Sequence, residues 1–114
     1  MEMQEAVREA IITAEQREML RRFREDVEHA FPGRVKRVVL FGSRARGDAE
    51  PDSDWDVAVF IDGYDRLRER LDLAEIAARH QTGKLPLSHI AIPSNREHTS
   101  TMLLRNIDAE GIDI

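Results

Sequence analysis

The residues with the most chemistry in them lie between positions 41 and 60, in FGSRARGDAEPDSDWDVAVF. Asp54 and Asp56 are separated by one residue at the start of a β-prone run. Side chains alternate across a strand, so this spacing sends both carboxylates to one face and Trp55 to the other. Two adjacent acids repel unless a cation or water separates them. A hard cation such as magnesium takes oxygen ligands, commonly one or two carboxylates plus substrate phosphates. The pair therefore makes sense as a metal clamp. Gly42-Ser43 directly follows an earlier apolar run. Glycine has no Cβ to keep a phosphate from the backbone. A helical turn beginning here would offer free N–H groups to an anion, and the Ser43 hydroxyl adds a donor. Arg44, Arg46 and Ser53 complete the candidate nucleotide-binding set.

Taken singly, each piece has a plain reading. Gly-Ser after a strand is an ordinary turn, and Asp-x-Asp is a solvated strand end. Arg44 and Arg46 are surface charges, and Ser53 caps the loop before the strand. The combination is the specific signal: strand, Gly-Ser, an Arg/Gly-rich loop, Ser-Asp-x-Asp, strand.

The elements that must position this set read from periodicity. Residues 15–31 place Met19, Leu20, Phe23, Val27, Ala30 and Phe31 at helical spacing. Pro32-Gly33 ends that helix. The sequence does not decide whether residues 2–12 join it. Residues 38–41 form a continuous β-prone run, read as a buried strand. Residues 44–53 hold a turn or a short helix plus a loop. Residues 55–61 are a second strand, closed by Asp62-Gly63. Residues 64–81 set Leu67, Leu71, Ala74 and Ala78 on one stripe of an amphipathic helix, and 87–92 is a third strand. Ser94-Asn95-Arg96-Glu97 reads as a capping box. The helix it opens runs to about Glu110, with Gly111 at its C-terminal cap. The expected order is α-β-β-α-β-α. This is a small mixed β-sheet backed by helices, of the α/β or α+β class, forming one domain over residues 1–114.

Composition narrows the partners. The 114 residues are 41% hydrophobic and 34% charged, a globular balance rather than a disordered one. The formal net charge is -5, whereas a generic nucleic-acid binder shows a basic balance or face. Arg17, Arg21 and Arg24 share helical spacing, but Glu15, Glu18 and Glu25 interrupt them, so a solvated helix face is expected. Cysteine is absent, which excludes disulfides and Cys-based zinc sites and suits a reducing compartment. His29, His80, His89 and His98 show no metal-ligand spacing, and Trp55 and Phe60 read as core. No apolar run approaches the ~20 residues that span a bilayer. The opening MEMQEAVREAIITAEQ is too acidic for a secretion signal. A cytoplasmic protein with no membrane contact is expected.

The stretch GSRARGDAEPDSDWDVAVF resembles the signature of the nucleotidyltransferase superfamily shared with DNA polymerase beta. More narrowly it resembles the minimal nucleotidyltransferase (MNT) proteins, many of which pair with HEPN-domain toxins. The likeness is tight over residues 38–61 and looser at the closing LLRNIDAEGIDI. The resemblance implies a polymerase beta-like fold in which Gly42 and Ser43 bind the triphosphate of ATP or another NTP. It makes Asp54 and Asp56 the catalytic magnesium ligands, in a two-metal site with ions ~3.5–4 Å apart. The implied reaction transfers a nucleoside monophosphate, AMP from ATP, to a hydroxyl and releases pyrophosphate.

One departure stands out. The superfamily supplies a third carboxylate from the next core strand. Here that strand reads LPLSHIAIP, with Ser88 or His89 at the expected place and no acid before Glu97. The second metal site is the part this departure touches. Two functions follow. One is a magnesium-dependent nucleotidyltransferase modifying a partner protein as an MNT-type antitoxin. The other is a catalytically weak nucleotide-binding antitoxin acting by contact with a HEPN-type toxin.

Overall fold

The computed structural model describes residues 12–114, so the segment 2–12 lies almost wholly outside the described residues. Helix α1 (Ala14–Ala30) opens on a reciprocal cap. Gln16 N–H donates to Thr13 Oγ1 at 3.1 Å, and Thr13 N–H donates to Gln16 Oε1 at 3.0 Å. This satisfies two of the N–H groups that a helix start leaves without partners. Leu20, Phe23 and Val27 are buried along its inner stripe, each stabilising the fold by about 1.5–3 kcal/mol. Its outer face carries Arg21 ion-paired with Glu18 and Glu25, the solvated face expected from the interleaved charges.

Four strands form one sheet in the order β3-β2-β1-β4. Strand β1 (Val35–Phe41) pairs antiparallel with β2 (Trp55–Ile61), and β2 pairs parallel with β3 (Leu87–Pro93). A parallel pair needs a crossover, which helix α3 (Arg66–His80) supplies. Between β1 and β2 sits a single turn, α2 (Ser43–Arg46). Helix α4 (Thr101–Glu110) leads into a two-residue strand, β4 (Ile112–Asp113), antiparallel to β1. The sequence reading had no β4, because two residues carry no periodicity.

The sheet separates two apolar clusters. One holds Val38, Leu40, Trp55, Val57, Val59 and Ile61 against α1 and α3. The other holds Val39, Ala58 and Phe60 with Ile107 of α4. Strands buried on both faces read as unbroken hydrophobic runs, which is why β1 and β2 were legible. No helix among the described residues is long and apolar enough to cross a membrane.

Two expectations are corrected. The stripe Leu67, Leu71, Ala74, Ala78 does not face the core: Leu67 is 93% and Leu71 70% exposed. Leu73, Ile76 and Ala77 are the buried residues of α3. Polar anchors lie on the same face as those three. Arg34 holds Glu69 in a two-pronged pair at 2.7 Å per prong, and His80 Nε2 lies 2.6 Å from Asp26 Oδ2. The second correction concerns the capping box. Ser94 does not open a helix: its N–H donates to the Ile61 carbonyl and its hydroxyl to Asp62 Oδ1, each at 3.0 Å. Arg96 and His98 adopt positive φ, 64° and 52°, which breaks any helix there. The cap is Ser100, and α4 starts at Thr101.

Candidate active site

The register of β1 against β2 builds the site. Phe41 lies opposite Asp56, so the residue after Phe41 falls beside the Asp56 carboxylate. That residue is Gly42, with φ 77° and ψ -161°. A Cβ at Gly42 would collide with Asp56 Oδ2. Glycine is therefore required twice here, for the left-handed backbone and for the close approach of a carboxylate. The chain then makes one turn, with the Ala45 and Arg46 N–H groups both donating to the Gly42 carbonyl at 3.0 Å. Gly47, at φ 87° and ψ 11°, ends the turn in the left-handed region. The N–H groups of Ser43 and Arg44 open this turn, where no acceptor exists within the turn itself.

Asp56 is half-buried and Asp54 exposed. Burial raises the Asp56 carboxyl above its ordinary value, and the neighbouring Asp54 charge raises it further. The Ser88 hydroxyl and Arg46 oppose that shift, and Glu110 adds to it least. Arg46 itself is paired with Asp48 at 3.1 Å and Glu110 at 3.2 Å. Two neighbouring carboxylates, one of them partly desolvated, are an oxygen donor set that suits a hard divalent cation. Among the described residues, no three Asp, Glu, His or Cys side chains converge as a ready ligand set. Strand β3 supplies no third acid.

Strand pairing settles which of Ser88 and His89 faces the carboxylates. Ser88 is the partner of Asp56, whereas His89 is the partner of Val57. Paired residues share a face and successive residues alternate. Ser88 is therefore on the Asp56 side, and His89 is on the opposite face. There burial holds the His89 imidazole below its ordinary value. His89 also lines a groove of about 950 Å³ at the other end of the sheet, bordered by Asp62–Tyr64 and the 93–100 segment. None of the candidate nucleotide and metal residues between Gly42 and Asp56 lines that groove.

The structure brings Gly42, Ser43, Asp54 and Asp56 together and gives Arg44 and Ser53 other partners. The Arg44 guanidinium donates to the carbonyls of Pro51 and Ser53 and lies over the Trp55 ring, 4.7 Å from its centroid. Ser53 Oγ accepts the Glu50 N–H at 2.9 Å. Both shape the loop that delivers Asp54. Sequence reasoning missed Glu110, whose Oε1 accepts the Gly42 N–H at 2.9 Å. It lies 68 positions along the chain from Gly42, and no local motif ties the two.

A family model for the nucleotidyltransferase domain matches residues 20–112. The chain belongs to the nucleotidyltransferase domain family. Over 63 residues it is 35% identical to a Methanocaldococcus jannaschii protein provisionally assigned as a protein adenylyltransferase. That match spans 55% of this chain and 64% of the relative's length, a little under two thirds of it. A crystal structure from Sulfolobus solfataricus, provisionally assigned as a nucleotidyltransferase, superposes with a TM-score of 0.57 at 23% identity. It covers 84% of this chain and 76% of its own. A toxin–antitoxin crystallised with AMP-PNP superposes with a TM-score of 0.57 at 20% identity, over 81% of this chain and 69% of its own. A mutant MntA–HpeT toxin–antitoxin gives 0.55 at 19%, over 78% and 67%. These likenesses establish a shared nucleotidyltransferase fold, in which the Gly42 turn and the Asp-x-Asp strand start lie at one end of the sheet.

Proposed function

We propose that the Gly42–Asp56 end of the sheet binds a nucleoside triphosphate, ATP, with magnesium, and transfers AMP to a hydroxyl of a partner protein. The observation that carries this reading is the contact of Gly42 with Asp56. A glycine held at positive φ brings a backbone turn against a partly desolvated carboxylate, within the span that the family model matches. Asp54 and Asp56 would hold the magnesium, which supplies charge neutralisation at the phosphates. The Gly42 and Ser43 N–H groups and the Ser43 hydroxyl bind and orient the phosphate chain. The acceptor oxygen then bonds to the α-phosphorus, and the bond to the β-phosphate oxygen breaks. Pyrophosphate leaves, and the hydroxyl proton passes to water, because His89 faces away from the carboxylates. The named role of the M. jannaschii relative supports a protein acceptor, and the toxin–antitoxin neighbours support a toxin as that partner; its HEPN type rests on the sequence resemblance alone. The reading includes one domain acting in the cytoplasm, in keeping with the absence of cysteine.

Calorimetry with magnesium and ATP tests the site. The wild type should bind, and the Asp54→Asn, Asp56→Asn double variant should lose most of that affinity. Equal affinity in the two proteins would remove both carboxylates from the site.

A second reading has its own observations. Ser88 stands where a third acid is expected, and Leu67 and Leu71 are exposed on α3. Both favour a binding module that neutralises its partner by contact with little turnover. Labelled ATP with the purified pair separates the readings. Transfer abolished by Asp56→Asn supports the enzyme, whereas neutralisation that survives Asp56→Asn supports the binding module.

A further inference from the structure

We infer that Glu110 is an internal anion that occupies the Gly42 cradle and is displaced by the nucleotide's phosphates. This rests on the reading of Gly42 as a phosphate site. The backbone fixes where Glu110 sits. Gly111 caps α4 through its N–H to the Ile107 carbonyl at 2.8 Å. A Cβ on Gly111 would collide with that carbonyl and with Val39. The next residues pair with β1, Ile112 with Leu40 and Asp113 with Val39. The last residue of α4 is thereby held over the end of β1. Its carboxylate takes the Gly42 N–H at 2.9 Å, and both of its oxygens take Arg46 Nη1 at 3.2 Å. The Glu110 side chain is only 18% exposed.

A carboxylate on a backbone N–H and an arginine satisfies the donors that a phosphate oxygen would use. The two anions cannot share a single N–H. The negative charge of Glu110 also reaches Asp56, whose carboxyl it pushes upward. The Gly42 donor is therefore taken from within the chain while no nucleotide is bound, and a phosphate that uses it must break these contacts first. A site that is open only a fraction of the time binds more weakly by that fraction. Displacement would also free Arg46 Nη1 for the incoming phosphates, while its Nε stays on Asp48.

The experiment compares wild type, Glu110→Ala and Glu110→Gln by calorimetry with magnesium-ATP, and follows the Gly42 amide by NMR. Glu110→Ala should bind roughly tenfold tighter, the cost of breaking one charge-assisted hydrogen bond. Glu110→Gln keeps an acceptor without the charge and should fall between. In the wild type, ATP should move the Gly42 amide away from its carboxylate-bonded position. Wild type that binds, with variants binding equally or more weakly, overturns the inference and makes Glu110 a support for the cradle. Failure of all three proteins to bind overturns the phosphate reading of Gly42 and the inference with it. Because Glu110→Gln retains the hydrogen bond, a folding defect confined to Glu110→Ala leaves the comparison decisive.

Discussion

The two ends of the sheet solve different problems. At the end where β2 and β3 begin, space is scarce. A glycine at positive φ touches a carboxylate, two aspartates lie close together, and a glutamate takes the Gly42 N–H. At the end where β2 and β3 finish there is a groove of about 950 Å³, bordered by Gly63, Tyr64 and the 93–100 segment. A well-formed hollow is the usual first guess for a ligand site. The proposed site lies elsewhere, because chemistry on phosphates depends on placed charge and exposed backbone more than on volume. Gly63 and Gly42 make the contrast concrete. Both have positive φ, 63° and 77°, but a Cβ at Gly63 would meet nothing within 4 Å. One glycine serves only a turn, while the other also serves a contact.

The largest expected effect lies under the groove. Leu73, on the buried face of α3, should cost about 2–5 kcal/mol as Leu73→Ala, against less than about 0.5 kcal/mol for Leu67→Ala. Urea denaturation measures both, and the reverse ranking would restore the outward stripe to the core. Next come the glycines. Gly42→Ala should cost about 3 kcal/mol, from the dihedral and the crowding of Asp56. Gly63→Ala should cost about 1 kcal/mol from the dihedral alone. Equal costs would mean that the Asp56 contact imposes nothing on Gly42.

Smaller effects probe the charge. Folding raises the Asp56 carboxyl above its unfolded value. The folded state therefore favours the protonated form, and ionised Asp56 costs stability as pH rises through the folded value. Without ligand at neutral pH, Asp56→Asn should melt above the wild type. The gap should close as pH falls below the ordinary carboxylate range, a trade of stability for function. A gap that is absent at neutral pH, or that widens in acid, has the wrong sign. Ser43→Ala should weaken triphosphate binding by about 1–2 kcal/mol and leave the ligand-free melt unchanged. A large loss of ligand-free stability would show that Ser43 serves only as a turn residue.

Much of this was legible in the sequence for local reasons. The spacing of Asp54 and Asp56 and the glycine after an apolar run are short-range patterns; Asp56 lies on β2, Asp54 just ahead of it and Gly42 just after β1. Strands buried on both faces announce themselves by composition. What the sequence hid depends on distant partners. The buried face of α3 is anchored to Arg34 and Asp26, residues of β1's lead-in and of α1. Ser94 looks like a helix cap until Asp62 and Ile61 claim it. Arg44 looks like a phosphate ligand until Trp55 and the 51–53 carbonyls do so. Ser88 and His89 are indistinguishable until strand pairing assigns their faces.

The contrast between the two ends has a direct measurement. Manganese replaces magnesium in an ATP complex, and its unpaired electrons broaden nearby amide resonances in an NMR spectrum. If the nucleotide sits at the Gly42–Asp56 end, broadening should centre on residues 42–45 and 54–57. Residues 62–64 and 94–100, around the groove, should keep their intensity. Broadening centred on the groove, with Gly42 and Asp56 untouched, would contradict the central claim and move the nucleotide to the other end of the sheet.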